Sequence, residues 1–175
     1  MSTALVVIDV QKGMFRPPLR PYRGEEVLAR IRDLQDRARA ERIPVVMIQH
    51  DGGPGEMLSR DSAGFAVHAE VAPKPGEEVI VKTRCDAFLG TGLDARLRAL
   101  GIGRLVIAGM QTDFCIDTAC RVAHGMGYDV TLAEDAHTTL DNAAMTAPQL
   151  IAYHGDLLKD RFATFKPVSQ IDFGA

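Results

Sequence analysis

The chain has 175 residues, 46% of them hydrophobic and 25% charged, with a net charge of −3. That length fits one domain, residues 1–175, able to bury roughly two thirds of its unfolded surface. The weak negative balance gives no reason to expect nucleic acid or an anionic membrane as a partner, and no apolar run approaches membrane-spanning length.

Residues 4–8, ALVVI, form a continuous apolar run that ends in Asp9. A run without alternation predicts a strand covered on both faces, as in a parallel sheet. Asp9 then falls at the carboxyl end of a central strand, where an acid is costly unless paired or working. The plainer reading is an Asp that caps the next turn. Residues 10–24 form a loop rich in Pro and Arg, in which Met14 and Phe15 are either pocket walls or part of an interface. A helix follows from residue 25, with Val27, Ile31, Leu34 and Ala38 on one face and charged residues on the other.

Residues 43–48, IPVVMI, predict a second strand, ending at Gln49, His50 and Asp51. The Gly-rich segment after it has little periodicity and reads as a mobile loop at the edge of a site. His50, Asp51 and His68 show no tight ligand repeat, so no metal is expected and the histidines are assigned positioning or structural roles. Residues 78–81 predict a third strand ending in Lys82, which repeats the pattern of Asp9, although an exposed strand-end lysine would read the same way. A helix with Leu93, Leu97 and Leu100 follows, closed by Gly101. Gly101 and Gly103 precede a strand and lack the third glycine of a dinucleotide fingerprint.

Residues 104–110 predict a buried fourth strand. Thr112 or Asp113 is expected to cap the helix after it. Cys115, Ala119, Val122 and Met126 repeat at helical spacing, and Gly125 and Gly127 end the helix. Cys115 is thereby placed in the first turn of a helix, just past a buried strand. Free N–H groups and the helix dipole would stabilise a thiolate there and hold an oxyanion. The alternative is a small, buried, inert cysteine. Residues 129–133 predict a fifth strand, with Asp135 and His137 beyond its end holding loops by hydrogen bonds. Thr146, Pro148 and Gln149 read as a capping box with proline in the first turn. The helix they open carries Leu150, Ile151, His154, Leu157 and Leu158, and residues 162–168 predict a short edge strand.

Strands alternate with helices throughout, which predicts a three-layer α/β fold on a parallel sheet. The working crevice of such a sheet lies beyond the carboxyl ends of its strands. Asp9, Lys82 and Cys115 each fall at such an end. If the central strands are neighbours, an acid, a cation and a thiol converge into a nucleophilic centre. Three cysteines, Cys85, Cys115 and Cys120, are too few and too irregular for a disulfide framework or a zinc knuckle. With no basic flank or cleavage site ahead of the first strand, a reduced, cytoplasmic protein is expected.

The stretches at 4–15, 79–102 and 104–139 resemble the isochorismatase-like cysteine hydrolase superfamily, which includes nicotinamidases, N-carbamoylsarcosine amidases and ureidoacrylate amidohydrolases. The resemblance implies a Rossmann-like α/β/α fold with about six strands in the order 3-2-1-4-5-6. It implies a catalytic triad of Asp9, Lys82 and Cys115, a non-proline cis peptide at Met110–Gln111, and an oxyanion hole from the backbone N–H groups of Gln111 and Cys115. It implies hydrolysis of a C–N bond in a small carboxamide or carbamoyl compound, without a cofactor, and a homodimer or homotetramer. Nicotinamidases hold a metal with an Asp-x-His and a later His; Gln49, His50, Asp51, Gly52 and Gly53 stand at that place, so the set is absent. True isochorismatases cleave a vinyl ether and generally lack the cysteine, so Cys115 favours an amide. The competing readings are an ether hydrolase with Cys115 as bystander and a non-catalytic module that binds a small ligand. A redox role for Cys115 and Cys120 is disfavoured, because their spacing is not C-x-x-C. Met14, Phe65, Phe88, Gln111 and Phe114 are the candidate pocket walls, with Phe65 and Phe88 alternatively closing a neighbouring subunit's pocket.

Overall fold

A computed structural model describes residues 1–174 of the chain. Six strands form one sheet in the order β3-β2-β1-β4-β5-β6, and every neighbouring pair is parallel. They are β1 (Ser2–Ile8), β2 (Val45–His50), β3 (Glu78–Lys82), β4 (Ile102–Met110), β5 (Asp129–Thr138) and β6 (Thr164–Lys166). The expected architecture and strand order are both present.

The central strands β1 and β4 read as unbroken apolar runs because both faces are covered. Alternate residues feed two cores. Ala4, Val6, Ile8, Leu105 and Ile107 face one side, where they meet α2 (Leu93–Ala99), α3 (Asp117–Gly125) and α4 (Ala147–Leu158). Leu5, Val7, Val106 and Ala108 face the other, against α1 (Gly24–Ala40) and the C-terminal Val168, Ile171 and Phe173. Full burial of one such Val, Leu or Ile is worth about 1.5–3 kcal/mol, so these two layers carry most of the fold's hydrophobic stabilisation. The strand order reverses between β1 and β4, the point where a doubly wound sheet opens its crevice.

Gly109 makes that crevice possible. It lies opposite Ile8 in the parallel register. Its φ is +124°, and a Cβ there would sit 2.1 Å from the Ile8 carbonyl oxygen. Only glycine lets β4 come so close to the end of β1.

Three expectations change. Strand β5 runs on to Thr138, because a register shift pairs His137 with Gly109 and Thr138 with Met110. His137 is therefore a buried strand residue, whereas Asp135, as expected, ties a loop by accepting the Val168 N–H at 2.7 Å. The Gly-rich segment after β2, read as a mobile loop, is tied back to the loop after β1. Gly13 and Lys12 donate backbone N–H groups to Gly64 and Ala66, and a Cβ on Gly64 would meet the Met57 carbonyl oxygen at 2.5 Å. Leu100 lies beyond the end of α2 and is exposed. The capping box at α4 forms, with the Thr146 N–H donating to Gln149 Oε1 at 2.9 Å. Among the described residues, no helix is long and apolar enough to cross a membrane.

Candidate active site

Asp9 leaves β1 with a left-handed φ of 54°, its N–H held by the Ile48 carbonyl at 3.0 Å. Lys82 ends β3, paired in register with His50 at the end of β2. Since β2 lies between β3 and β1, the lysine side chain reaches across the end of β2 to the acid. Its Nζ stands 2.7 Å from Asp9 Oδ2, 3.2 Å from Cys115 Sγ, 3.0 Å from the Arg84 carbonyl oxygen and 3.3 Å from His50 Nδ1. An ammonium has three N–H donors, so these four neighbours leave none for another molecule.

Cys115 lies on a single π-helical turn, Thr112–Ile116, between β4 and α3. The Ile116 N–H reaches back to the Gln111 carbonyl at 3.1 Å, five residues away. The expected cap does not form. Thr112 Oγ1 is hydrogen-bonded to His137 Nδ1 at 2.9 Å, and the Thr139 hydroxyl donates to Asp113. Both side chains are drawn to the end of β5 and away from the helix start. The wider turn sets Cys115 against Asp9 and Lys82. The Met110–Gln111 peptide is cis, as the resemblance implied. The Gln111 N–H finds no backbone acceptor among the described residues.

Burial is the largest influence on all three ionisable groups. It raises the Asp9 carboxyl above its ordinary value against the lowering effect of Lys82. It works to lower Lys82, but Asp9 and Cys115 outweigh it and hold the ammonium above its ordinary value. It raises the Cys115 thiol, Asp9 raises it further, and Lys82 offsets only part. The expectation of a thiolate stabilised at the helix start is therefore opposed by burial and by Asp9, with Lys82 acting the other way. Burial thus favours the thiol form of Cys115 and raises the basicity of the Asp9 carboxyl, while Lys82 is held as an ammonium. Asp9 Oδ1 is buried without a hydrogen-bond partner. An unpaired carboxylate oxygen costs free energy, and it is available to take a proton.

A cavity of about 240 Å³ opens over this group, lined by Asp9, Met14, His50, Leu58, Cys85, Met110, Gln111, Phe114 and Cys115. Met14, Gln111 and Phe114 are where the sequence reading put them. Phe88 is not a wall: it packs in the core, its ring centroid 6.0 Å from that of Tyr128. Phe65 is not one either; its carbonyl oxygen accepts from Gln11 Nε2 at 2.8 Å and Gln49 Nε2 at 2.9 Å. Leu58, Cys85 and Met110 were missed as walls. A larger hollow of about 420 Å³, between Tyr128, Asp129 and Phe162, lies at the amino end of β5 and brings together no such acid, cation and thiol.

Gln11 was also missed. It is fully buried, and its amide clamps His50 at both ends: Nε2 donates to the His50 carbonyl at 2.9 Å and Oε1 accepts the His50 N–H at 2.8 Å. A glutamine three residues past a strand end carries no sequence signal for this, because its partner is 39 positions away. His50 falls below its ordinary pKa, first through burial and then through Lys82, and so stands neutral. Among the described residues, no three His, Cys, Asp or Glu side chains are grouped to hold a metal ion.

Comparison with known proteins gives the family and the fold. A family profile described as the isochorismatase domain matches residues 3–153. A streptothricin hydrolase of Streptomyces noursei is 38% identical over 138 residues, covering 79% of this chain and 50% of that protein. The chain spans about half the length of the two streptothricin hydrolases it matches. The crystal structure of a hydrolase of the same family from Chromobacterium violaceum superposes with a TM-score of 0.91 at 31% identity, over 96% of this chain and 90% of that one. An N-carbamoylsarcosine amidase from Thermoplasma acidophilum superposes with a TM-score of 0.85 at 25% identity, over 98% of this chain and 99% of that one.

Proposed function

The chain belongs to the isochorismatase family, and we propose that it hydrolyses the C–N bond of a small carboxamide or carbamoyl compound through an acyl-enzyme on Cys115. The observation that carries this reading is the unpartnered Asp9 carboxylate oxygen in the same cavity as the Cys115 thiol. The names of two relatives, an amidase and a hydrolase, support the same class of reaction.

The chemistry follows from the resting protonation. Asp9 takes the thiol proton as Sγ attacks the substrate carbonyl carbon. A base of raised pKa suits this step, because it lies closer to the pH at which the enzyme works. Charge moves onto the carbonyl oxygen, where the free Gln111 N–H and that of Cys115 would hold it; one such donor is worth about 3–4 kcal/mol in comparable sites. The C–N bond then breaks, the nitrogen takes the proton from Asp9, and the amine leaves. Water attacks the thioester, gives its proton to Asp9, and the carboxylic acid departs with the thiol restored. Lys82 stays charged throughout and fixes Asp9 Oδ2, leaving Oδ1 for the proton.

The test is a screen of amides and ureido acids for ammonia release, with intact-mass detection of an acylated Cys115. Ammonia release that requires Cys115 is the expected result. Turnover of an enol ether that survives Cys115→Ala would overturn the reading and leave Cys115 a bystander.

A further inference from the structure

We infer that the preferred substrate is an uncharged amide with a compact apolar acyl group, and that a carboxylate on the acyl chain is selected against. This rests on the amide-hydrolase reading above and narrows it. Among the residues that line the cavity, Met14, Leu58, Met110 and Phe114 are apolar. The polar walls are Gln111, Cys85, His50 and Asp9. None is a cation. His50 is neutral, and because its Nδ1 faces the Lys82 ammonium at 3.3 Å, its ring proton sits on Nε2. Lys82 has no exposed side-chain surface and no free N–H to offer. The exposed cations on the flanking turns, Lys12, Arg60 and Arg84, are not walls of the cavity.

A substrate carboxylate placed against this lining would give up water on its cavity side without gaining a counter-ion among the lining side chains. It would also face Asp9, which already carries the site's negative charge. Burial of an unpaired charge is among the costliest events in a protein interior. An alkyl group meets the opposite situation, since each buried methylene is worth about 0.8 kcal/mol. The cavity's size sets the scale: about 240 Å³ is below the roughly 300–1,000 Å³ of sites for drug-sized ligands, so a handful of heavy atoms fills it.

The experiment compares butyramide with succinamate, which have the same chain length but end in a methyl and a carboxylate respectively. Binding is read by titration calorimetry or ligand-observed NMR on Cys115→Ala protein, so that it does not depend on turnover. Kinetics are read on the wild-type enzyme as ammonia release. The neutral amide is expected to bind at least tenfold tighter and, where both are hydrolysed, to show at least a tenfold higher kcat/KM. A preference for butyramide of less than tenfold, tighter binding of succinamate, or no binding of butyramide overturns the inference. Neither result decides the reaction class, which is read separately from ammonia release and acylation of Cys115.

Discussion

The Lys82 ammonium lies 2.7 Å from Asp9 Oδ2, with no solvent-exposed surface on the lysine side chain and 7% on the aspartate. Two opposite charges from strands that are not neighbours are thus paired out of water. Breaking such a pair from one side leaves the other charge stranded. Lys82→Met is expected to cost about 3–5 kcal/mol of stability. The double variant Asp9→Asn with Lys82→Met should cost clearly less than the sum of the two single changes. Urea denaturation of the four proteins measures this coupling. A purely additive outcome would mean that the two groups do not interact as described.

Asp9 must be ionised to accept the Cys115 proton, and burial raises its pKa. Activity is therefore present above that raised pKa and lost as pH falls through it. The acidic limb of the kcat/KM profile should lie above the ordinary carboxylate range near 3.9. Asp9→Asn should remove the limb and lower kcat/KM by about 10²–10⁴-fold, the usual reach of a general base.

His137 is buried against Thr112, and its pKa is lowered to about 4 from 6.5. The folded protein keeps this ring neutral while the unfolded chain protonates it below about 6.5. The stability it contributes is complete above pH 6.5 and is lost as pH falls from there to about 4. The loss amounts to about 3 kcal/mol. A melting curve measured every half pH unit should show this slope, and His137→Gln should flatten it in that window.

Gly109→Ala would put a methyl against the Ile8 carbonyl oxygen in a backbone conformation that alanine rarely adopts. A loss of more than about 4 kcal/mol, or no folded protein, is expected. Gly76 also has a positive φ, but open space surrounds its Cβ position. Gly76→Ala should cost only about 1–2 kcal/mol, the ordinary price of a left-handed residue. Thermal melts of the two variants separate the clash from the φ effect.

What could be read from the chain follows from how local each cause is. Doubly covered strands write themselves as unbroken apolar runs, so β1 and β4 were legible, and with them the strand-end positions of Asp9 and Cys115. The Thr146 and Gln149 box was legible because both partners lie within one helical turn. The end of β5 was not, since it depends on a register shift against β4. The turn at Cys115 looked like a capped helix because Thr112 and Asp113 are good capping residues; His137 and Thr139 take their side chains instead. Gln11, Leu58 and Cys85 come to the site from the loops after β1, β2 and β3 respectively, and their meeting leaves no local pattern. Phe88 carried the signal of a pocket aromatic, but it fills the core.

The central claim is that Cys115 forms a covalent bond with the substrate. A rapid quench of the enzyme with a hydrolysed amide, followed by peptide mass analysis, tests it most directly. An acyl mass increment is expected on the Cys115 peptide, absent in Cys115→Ala, together with at least a thousandfold loss of turnover in that variant. Turnover retained within tenfold by Cys115→Ala, with no increment on the wild-type peptide, would contradict it.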